Sequence, residues 1–270
     1  MINYFFFPES YNGADLTSIK SSVDGLNEAM VKKDKNELFY EDSSFYLIQD
    51  VNGQFLFEKL SHSYKDLTTR VIPSMLRRMK HTTVKVVDNI TLLDTQHSGA
   101  WVNCIWGLFS VEDKHHICSF KFFCLNRKDI ALSVSNGMNF HITKSFLLGK
   151  VQIADNAMEQ ISNLGSGSDF NKVLKAICQL DCYNMESWKT GSFQLRILQQ
   201  NYNVTISDES DTVKRNPLLK QQRYFKVSDE IGSQYCFYHL KLDNIRIHIY
   251  PNEFEKVIYV TYVGKHLDLR

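Results

Sequence analysis

A chain of 270 residues with 43% hydrophobic and 23% charged residues has the composition of a folded globular protein, which excludes an intrinsically disordered one. Its 31 basic and 30 acidic side chains nearly cancel, which excludes a general polyanion binder and leaves only local charged surfaces as candidates. Aromatic residues make up 13% of the chain and proline is scarce, so we expect a strand-rich fold with few long loops.

The chain shows no pattern that predicts secretion or membrane insertion. Its start, Met-Ile-Asn-Tyr-Phe-Phe-Phe-Pro-Glu, has no basic leader, and the apolar run stops at Pro8. No later run approaches the roughly 18 apolar residues that a membrane span needs. The six cysteines lack the density and spacing of a disulfide scaffold. We therefore expect a cytoplasmic protein without a membrane partner.

The N-terminal half predicts a mixture of helices and strands. A buried strand is expected over residues 2–7, followed by an amphipathic helix over 16–32 with Asp15 as its N-cap. The Asn52-Gly53 pair predicts a hairpin between strands at 45–49 and 54–60. A helical stretch interrupted at Pro73 follows, over about 64–80. Further strands are expected over 83–87, 100–109, 117–125 and 130–134, and a helix over 151–164.

The stretch Gly165-Ser166-Gly167-Ser168 has the composition of a flexible linker, and we expect a domain boundary there. It lacks the longer spacing and the Lys-Ser/Thr ending of a phosphate-binding loop. The resulting fold class is α+β with two domains. Residues 1–164 form an N-terminal α+β domain without an assigned role, and residues 165–270 form a C-terminal domain. The C-terminal domain is predicted as a short helical part, with a helix over about 170–180 that buries Val173, Leu174 and Ile177, followed by a twisted antiparallel sheet.

The most chemically distinctive segment is a hairpin near the end of the chain. Two alternating runs, residues 235–242 and 245–251, flank Asp243-Asn244, and both of these residues tolerate positive φ in a two-residue turn. Such a turn sets the register, because each cross-strand pair must sum to the same residue number. The pairs on one side are Lys241 with Arg246, His239 with His248 and Phe237 with Tyr250. The other side carries leucine, isoleucine and tyrosine.

The cationic side of this hairpin suggests phosphate chemistry. Lys241 opposite Arg246 is a like-charge pair, which costs stability unless an anion lies between the two side chains. In a metal-free phosphodiester cleavage, His239, His248 or Tyr250 would act as acid and base while Arg223, Lys241 and Arg246 hold the phosphate. The alternative is a solvated face whose cations pair with acidic residues of the 208–211 loop.

We expect neither a metal nor another cofactor. His115, His116, Cys118 and Cys124 are of the ligand types that zinc prefers, but the two cysteines lack paired knuckle spacing. On a strand over 117–125, both cysteines would point into the core together with phenylalanines.

A short helical part, an antiparallel sheet and a last strand ending in Gly264-Lys265-His266 resemble the RelE-type ribonuclease toxins. The resemblance covers about residues 190–270. It implies metal-free action on messenger RNA by side chains of the sheet and the C-terminus. It also implies that Lys265 and His266 join Arg223, Lys241 and Arg246 in phosphate binding, and that His248 belongs to the same site.

Two functions of different classes follow from the sequence. The first is an RNA-binding or metal-independent ribonuclease-like protein of toxin or phage-defence type, which acts through the cationic side of the hairpin. The alternative is a non-enzymatic interaction subunit of a bacterial defence or mobile-element complex, in which the same surface docks an acidic protein. The expected partners are therefore RNA or an acidic protein, and both functions are compatible with a homo-oligomer or a complex subunit.

Overall fold

The computed structural model describes residues 1–50, 52–83, 90–100, 102–108 and 115–267. The chain separates into two compact units, Met1–Ile130 and Ala131–Arg270. The boundary expected after residue 164 therefore lies inside the second unit. There the Gly165 carbonyl accepts a hydrogen bond from the Gly137 amide at 2.6 Å, and Gly167 is the N-cap of a long helix. Within the described residues, no helix combines the length and apolarity needed to cross a membrane.

The first unit contains a five-stranded, all-parallel sheet. Its strands are β1 (Ile2–Phe6), β2 (Glu37–Glu41), β3 (Lys80–His81), β4 (Val102–Trp106) and β5 (His116–Ile117). Its helices are α1 (Leu16–Val31), α2 (Leu56–Ser63), α3 (Ile72–Arg78), α4 (Ile90–Gln96) and α5 (Phe120–Val134), with single 3-10 or π turns at Pro8–Tyr11, Ser44–Leu47 and Leu67–Val71. The strand order is β3-β2-β1-β4-β5, and each neighbouring pair is parallel.

Local sequence explains why β1 and α1 form where they were predicted. All five residues of β1 are buried, as expected for the central strand of a parallel sheet covered on both faces. The Asp15 carboxylate accepts a hydrogen bond from the Ser18 amide at 2.8 Å and caps α1. The helix then buries Ile19, Val23 and Leu26 at helical spacing.

Four strand predictions, over 45–49, 54–60, 117–125 and 130–134, are wrong because a helical period of apolar residues prevails. The turn at Gly53 forms, with φ 76° and a single bridge between Gln49 and Phe55, but its flanks are a 3-10 turn and α2. The strands expected over 117–125 and 130–134 fall largely in α5, where Phe123 and Ile130 are both buried. Cys124, expected in the core, is exposed as a result. The strand expected over 83–87 falls almost entirely outside the described residues.

The second unit combines a mixed sheet with helices. Its strands are β6 (Gln152–Ile153), β7 (Ile206–Ser207), β8 (Tyr224–Ser228), β9 (Gly232–Tyr235), β10 (Tyr238–Leu242), β11 (Ile245–Asn252) and β12 (Val257–Lys265). Its helices are α6 (Phe140–Leu147), α7 (Asp155–Ser162), α8 (Ser168–Glu186), α9 (Leu195–Tyr202), α10 (Asp211–Arg215) and α11 (Pro217–Gln221). The sheet order is β6-β12-β11-β10-β7, antiparallel except for β6 with β12, and β8–β9 form a separate two-stranded ribbon.

Helix α8 covers the apolar side of this sheet. The helix predicted over 170–180 is confirmed and extends further at both ends. It buries Phe170, Val173 and Ile177, and at its end Asn184 donates to the Lys256 carbonyl at 2.7 Å and accepts from the Ile258 amide at 3.0 Å. The mixture of helices and strands is confirmed for the chain. The parallel sheet of the first unit differs from the arrangement that an α+β class implies.

The register predicted for the β10–β11 hairpin is confirmed from the turn as far as Tyr238 and Ile249, and the predicted pair of Phe237 with Tyr250 lies beyond the observed ladder. Lys241 pairs with Arg246, His239 with His248, and Leu240 with Ile247. Of the two turn residues, Asp243 has a positive φ of 47° and Asn244 does not, so the turn is not the type I′ turn in which both are positive. Leu240, Ile247 and Ile249 on the apolar side are fully buried.

The positive φ of Asp243 makes the turn sensitive to side-chain shape. We expect Asp243→Val to lower the free energy of unfolding by about 1–2 kcal/mol relative to Asp243→Asn, because a β-branched residue is strained in this conformation. Both variants lose the carboxylate equally, so their difference reports the backbone alone. Urea denaturation followed by circular dichroism measures it. Equal stabilities would show that the turn does not constrain the hairpin.

Candidate nucleic-acid interface

The basic face, defined as the side of the hairpin that carries His239, Lys241, Arg246 and His248, has a buried level and an exposed level. The His239 and His248 side chains lie in the buried level, with residue exposures of 7% and 2%. Lys241 is exposed and Arg246 is half-buried, nearer the turn. The ring of Phe225, in β8, lies 5.5 Å from the His248 ring, so the β8–β9 ribbon helps to cover the imidazoles.

Glu209 supplies a negative charge to the buried level. This residue is 8% exposed, and its Oε1 lies 3.2 Å from Nε of Arg223 and 3.6 Å from Nδ1 of His239. Arg223 is 1% exposed and also donates through Nη1 to the Leu219 carbonyl at 2.9 Å. A buried cation requires a partner of this kind. Arg223 therefore belongs to a buried ion pair and does not present its charge to a phosphate in solution.

Burial disfavours the protonated form of both histidines of the hairpin by lowering the pKa of each. It lowers the pKa of His248 to about 3, although the hydrogen bond to the Cys236 carbonyl opposes this shift. Burial also lowers the pKa of His239, against the opposing effect of Glu209. The 3.0 Å contact between Nδ1 of His248 and the Cys236 carbonyl places the proton on Nδ1. Imidazoles that are covered in this way cannot exchange a proton with an RNA in solution, so this geometry does not support acid–base roles for either histidine.

The exposed level is an uncompensated pair of cations. Neither Lys241 nor Arg246 forms an ion pair with any described carboxylate. Nη1 of Arg246 donates to the carbonyls of Asp243 and Ile245 at 2.8 and 2.9 Å, while its Nε is buried without a hydrogen-bond partner. The nearest acid in sequence, Asp243, instead accepts a hydrogen bond from Lys172 at 2.6 Å. Two cations on adjacent strands therefore repel each other without an internal counter-ion.

The other predicted site residues are spread around this face. Tyr250 is half-buried and pairs with Tyr259 beyond a bulge at His248/Ile249, farther from the turn. Lys265 aligns with Ile245 and so belongs to the apolar side of the sheet, where its end is exposed. His266 is exposed and follows β12, two residues after Gly264, which aligns with Arg246, so strand alternation places it on the basic face. The predicted phosphate-binding set is thus only partly brought together.

A second candidate site, not found from the sequence, lies in the first unit. A cavity of about 620 Å³ opens at the carboxyl ends of β1, β2 and β3, where open α/β sheets commonly bind ligands. Its lining includes Glu9, Asp42, Ser43, His81 and Thr82. Carboxylates and hydroxyls at these positions suit a small molecule with amine or hydroxyl donors better than a phosphate. An acidic or hydroxyl residue follows each of the three strands, and this pattern could have indicated the site from the sequence. No strand was predicted at β2, however, so the three strand ends were not recognised as neighbours.

The low pKa of His248 gives its contribution to stability a definite pH dependence. The folded-state pKa of about 3 lies below the ordinary value of 6.5, so this contribution is complete above about pH 6.5 and is lost as the pH falls toward 3. Each pH unit in that window removes up to about 1.4 kcal/mol. We expect His248→Gln to flatten the decline in melting temperature between pH 7 and 5, whereas exposed His62→Gln leaves the wild-type slope. Parallel slopes in all three proteins would contradict this assignment.

The basic face thus combines a buried level, in which Glu209 compensates the positive charge, with an exposed level that no described acid compensates. An anion from outside the chain can bind only to the second. Lys241 and Arg246 form the core of that level, and His266 lies on the same face. No protein-family model, curated protein or solved structure matches this chain.

Proposed function

We propose that this protein binds RNA through its second unit, with the phosphate backbone held by Lys241 and Arg246. The observation that supports this proposal is the cross-strand pair of cations without an internal carboxylate. The resemblance of residues 190–270 to ribosome-dependent toxins supplies the choice of RNA among the polyanions. Binding does not require the buried histidines to meet the ligand.

A phosphate fits the electrostatics of this pair. An anion placed between Lys241 and Arg246 replaces their repulsion with two charge-assisted hydrogen bonds, which are stronger than neutral ones. The two backbone contacts of Arg246 hold its guanidinium in place before a ligand arrives. The Lys172–Asp243 pair engages the acid that is nearest in sequence to the two cations.

A further part of this proposal is that the protein cleaves RNA, as a toxin or defence protein would. Cleavage requires more than binding, because the site must present an acid and a base in contact with solvent. Of the three groups proposed for that chemistry, His239 and His248 are buried, and Tyr250 is half-buried. His266 is an exposed imidazole on the basic face. Tyr250 pairs with Tyr259, whereas His266 follows the partner of Ile245, so the two side chains lie roughly 15–20 Å apart along β11 and cannot act on one phosphodiester together. A ribonuclease would therefore rely on one of these two groups, and not on the cross-strand histidine pair.

The binding proposal is tested with a charge-removal variant. We expect the double variant Lys241→Ala/Arg246→Ala to bind fluorescently labelled single-stranded RNA at least tenfold more weakly than wild type. We also expect the slope of log K against log salt to fall by about 1.4, because roughly 0.7 counterions are released per single-strand phosphate contact. Fluorescence anisotropy across a series of salt concentrations measures both quantities.

The matched control is Lys175→Ala/Lys189→Ala, which removes two exposed cations elsewhere in the same unit. Equal affinities of the two double variants would contradict the proposal. Retained RNA binding with loss of a co-purifying acidic protein would instead favour the interaction subunit. Cleavage products that disappear in His266→Ala or Tyr250→Phe would establish the enzymatic form.

We infer a second binding function for the first unit, favoured by the cavity at the carboxyl ends of its parallel strands. Its ligand is a small molecule with amine or hydroxyl donors, which can meet the carboxylates of Glu9 and Asp42 and the hydroxyls of Ser43 and Thr82. The fold places these groups together, because the carboxyl ends of parallel strands meet at one edge of the sheet.

Thermal melting with a panel of polyamines, amino sugars, nucleosides and inorganic phosphate tests this inference. We expect at least one amine-bearing compound to raise the melting temperature and phosphate to leave it unchanged. The double variant Glu9→Gln/Asp42→Asn should remove the shift, whereas Glu28→Gln/Asp66→Asn, which changes exposed acids outside the cavity, should keep it. No shift from any donor-bearing compound would rule out the inference.

A further inference from the structure

Three potential ligand groups converge in the buried level of the basic face. Glu209, His239 and His248 each contribute one ligand atom, and these atoms lie within 4.8 Å of one another. They come from three separate segments: the loop after β7, strand β10 and strand β11. Buried carboxylate and imidazole groups of this kind are costly to leave without partners.

The hydrogen bonds around the two imidazoles leave one nitrogen of each available to a ligand. Nδ1 of His248 is held by the Cys236 carbonyl, which leaves Nε2 as the acceptor nitrogen. Nε2 of His239 lies 3.3 Å from the Ser207 hydroxyl, while its Nδ1 is buried without a hydrogen-bond partner. That Nδ1 faces Oε1 of Glu209 at 3.6 Å. Imidazoles that bind metals commonly donate their other nitrogen in this way to a carbonyl or hydroxyl.

We propose that Glu209, His239 and His248 bind a divalent transition-metal ion of the zinc type. The ligand atoms are a carboxylate oxygen of Glu209, Nδ1 of His239 and Nε2 of His248, and a water molecule completes the coordination. The ion ties the loop after β7 to the β10–β11 hairpin beneath the exposed cations. This proposal is independent of RNA binding, because Lys241 and Arg246 do not take part.

The distances are compatible with this assignment after a small contraction. Tetrahedral zinc with bonds of about 2.0–2.2 Å separates its ligand atoms by roughly 3.3–3.6 Å. The Glu209–His239 pair already has that spacing, and the remaining ligand atoms, which lie within 4.8 Å, must approach by at most about 1.5 Å. Two imidazoles with one carboxylate form a ligand set that suits zinc and related ions.

Arg223 is the main opposing charge. Its guanidinium contacts the same Glu209 oxygen and therefore competes with a cation for that carboxylate. Metal binding should be weaker than at a site with the same three ligands and no arginine. Replacing Arg223 should then increase the stabilisation that metal provides. Without the guanidinium, the bound ion would be the main positive charge next to the buried Glu209 carboxylate.

The test uses the full chain stripped of metal with a chelator and then titrated with Zn²⁺ or Co²⁺. We expect one ion per chain by calorimetry, a visible absorption band for bound Co²⁺ and an increase in melting temperature with Zn²⁺. His239→Ala and Glu209→Gln should remove all three signals. His266→Ala and Lys241→Ala/Arg246→Ala should keep them. Arg223→Gln should show a larger Zn²⁺-dependent increase in melting temperature than wild type.

Two results would overturn the proposal. One is the absence of stoichiometric metal and of a Co²⁺ band in the wild-type protein. The other is metal binding that persists in both His239→Ala and Glu209→Gln, which would place the ion elsewhere. If His239→Ala fails to fold, Glu209→Gln, which preserves side-chain size, decides the matter. Loss of RNA binding in Lys241→Ala/Arg246→Ala has no bearing on either result.

Discussion

The cross-strand register of β10 and β11 is the constraint on which the candidate chemistry of the second unit depends. A two-residue turn with Asp243 at positive φ places Lys241 against Arg246 and His239 against His248. A shift of one residue would send these side chains to the face that α8 covers. The apolar side of the same strands, with Leu240 and Ile247 fully buried, makes such a shift costly. One pattern of alternation therefore builds the core and the basic face together.

Charge is handled differently at the two levels of that face. In the buried level, Glu209 lies between Arg223 and His239, and desolvation lowers the pKa of both imidazoles. In the exposed level, solvent screens the repulsion between Lys241 and Arg246, so both cations can remain without an ion-pair partner. A buried cation pair without a carboxylate would cost far more than an exposed one. Lys241 and Arg246, nearer the turn, are therefore available to bind an external anion.

The first unit has a different architecture and a different kind of candidate site. Parallel strands require crossover connections, so helices cover its sheet and the loops after the strands gather at one edge. The cavity at that edge follows from topology, and its lining is acidic and hydroxyl-rich where the basic face is cationic. The two candidate sites therefore favour ligands of opposite charge, and one protein can carry both.

Local patterns in the sequence alone determined β1, the capped helix α1, the core of α8 and the register of the β10–β11 ladder. Each depends on short-range periodicity or on one turn, which neighbouring residues are sufficient to specify. The short apolar runs at 45–60 and 117–134 led to wrong strand predictions, because strand and helix patterns look alike over a few residues.

Only the tertiary structure decided that Glu209 and Arg223 pair inside the protein, and that β8 covers the histidines. It alone also brought the ends of β1, β2 and β3 around a cavity. These outcomes depend on segments far apart in the chain, and alternation along a single strand carries no information about what packs above it.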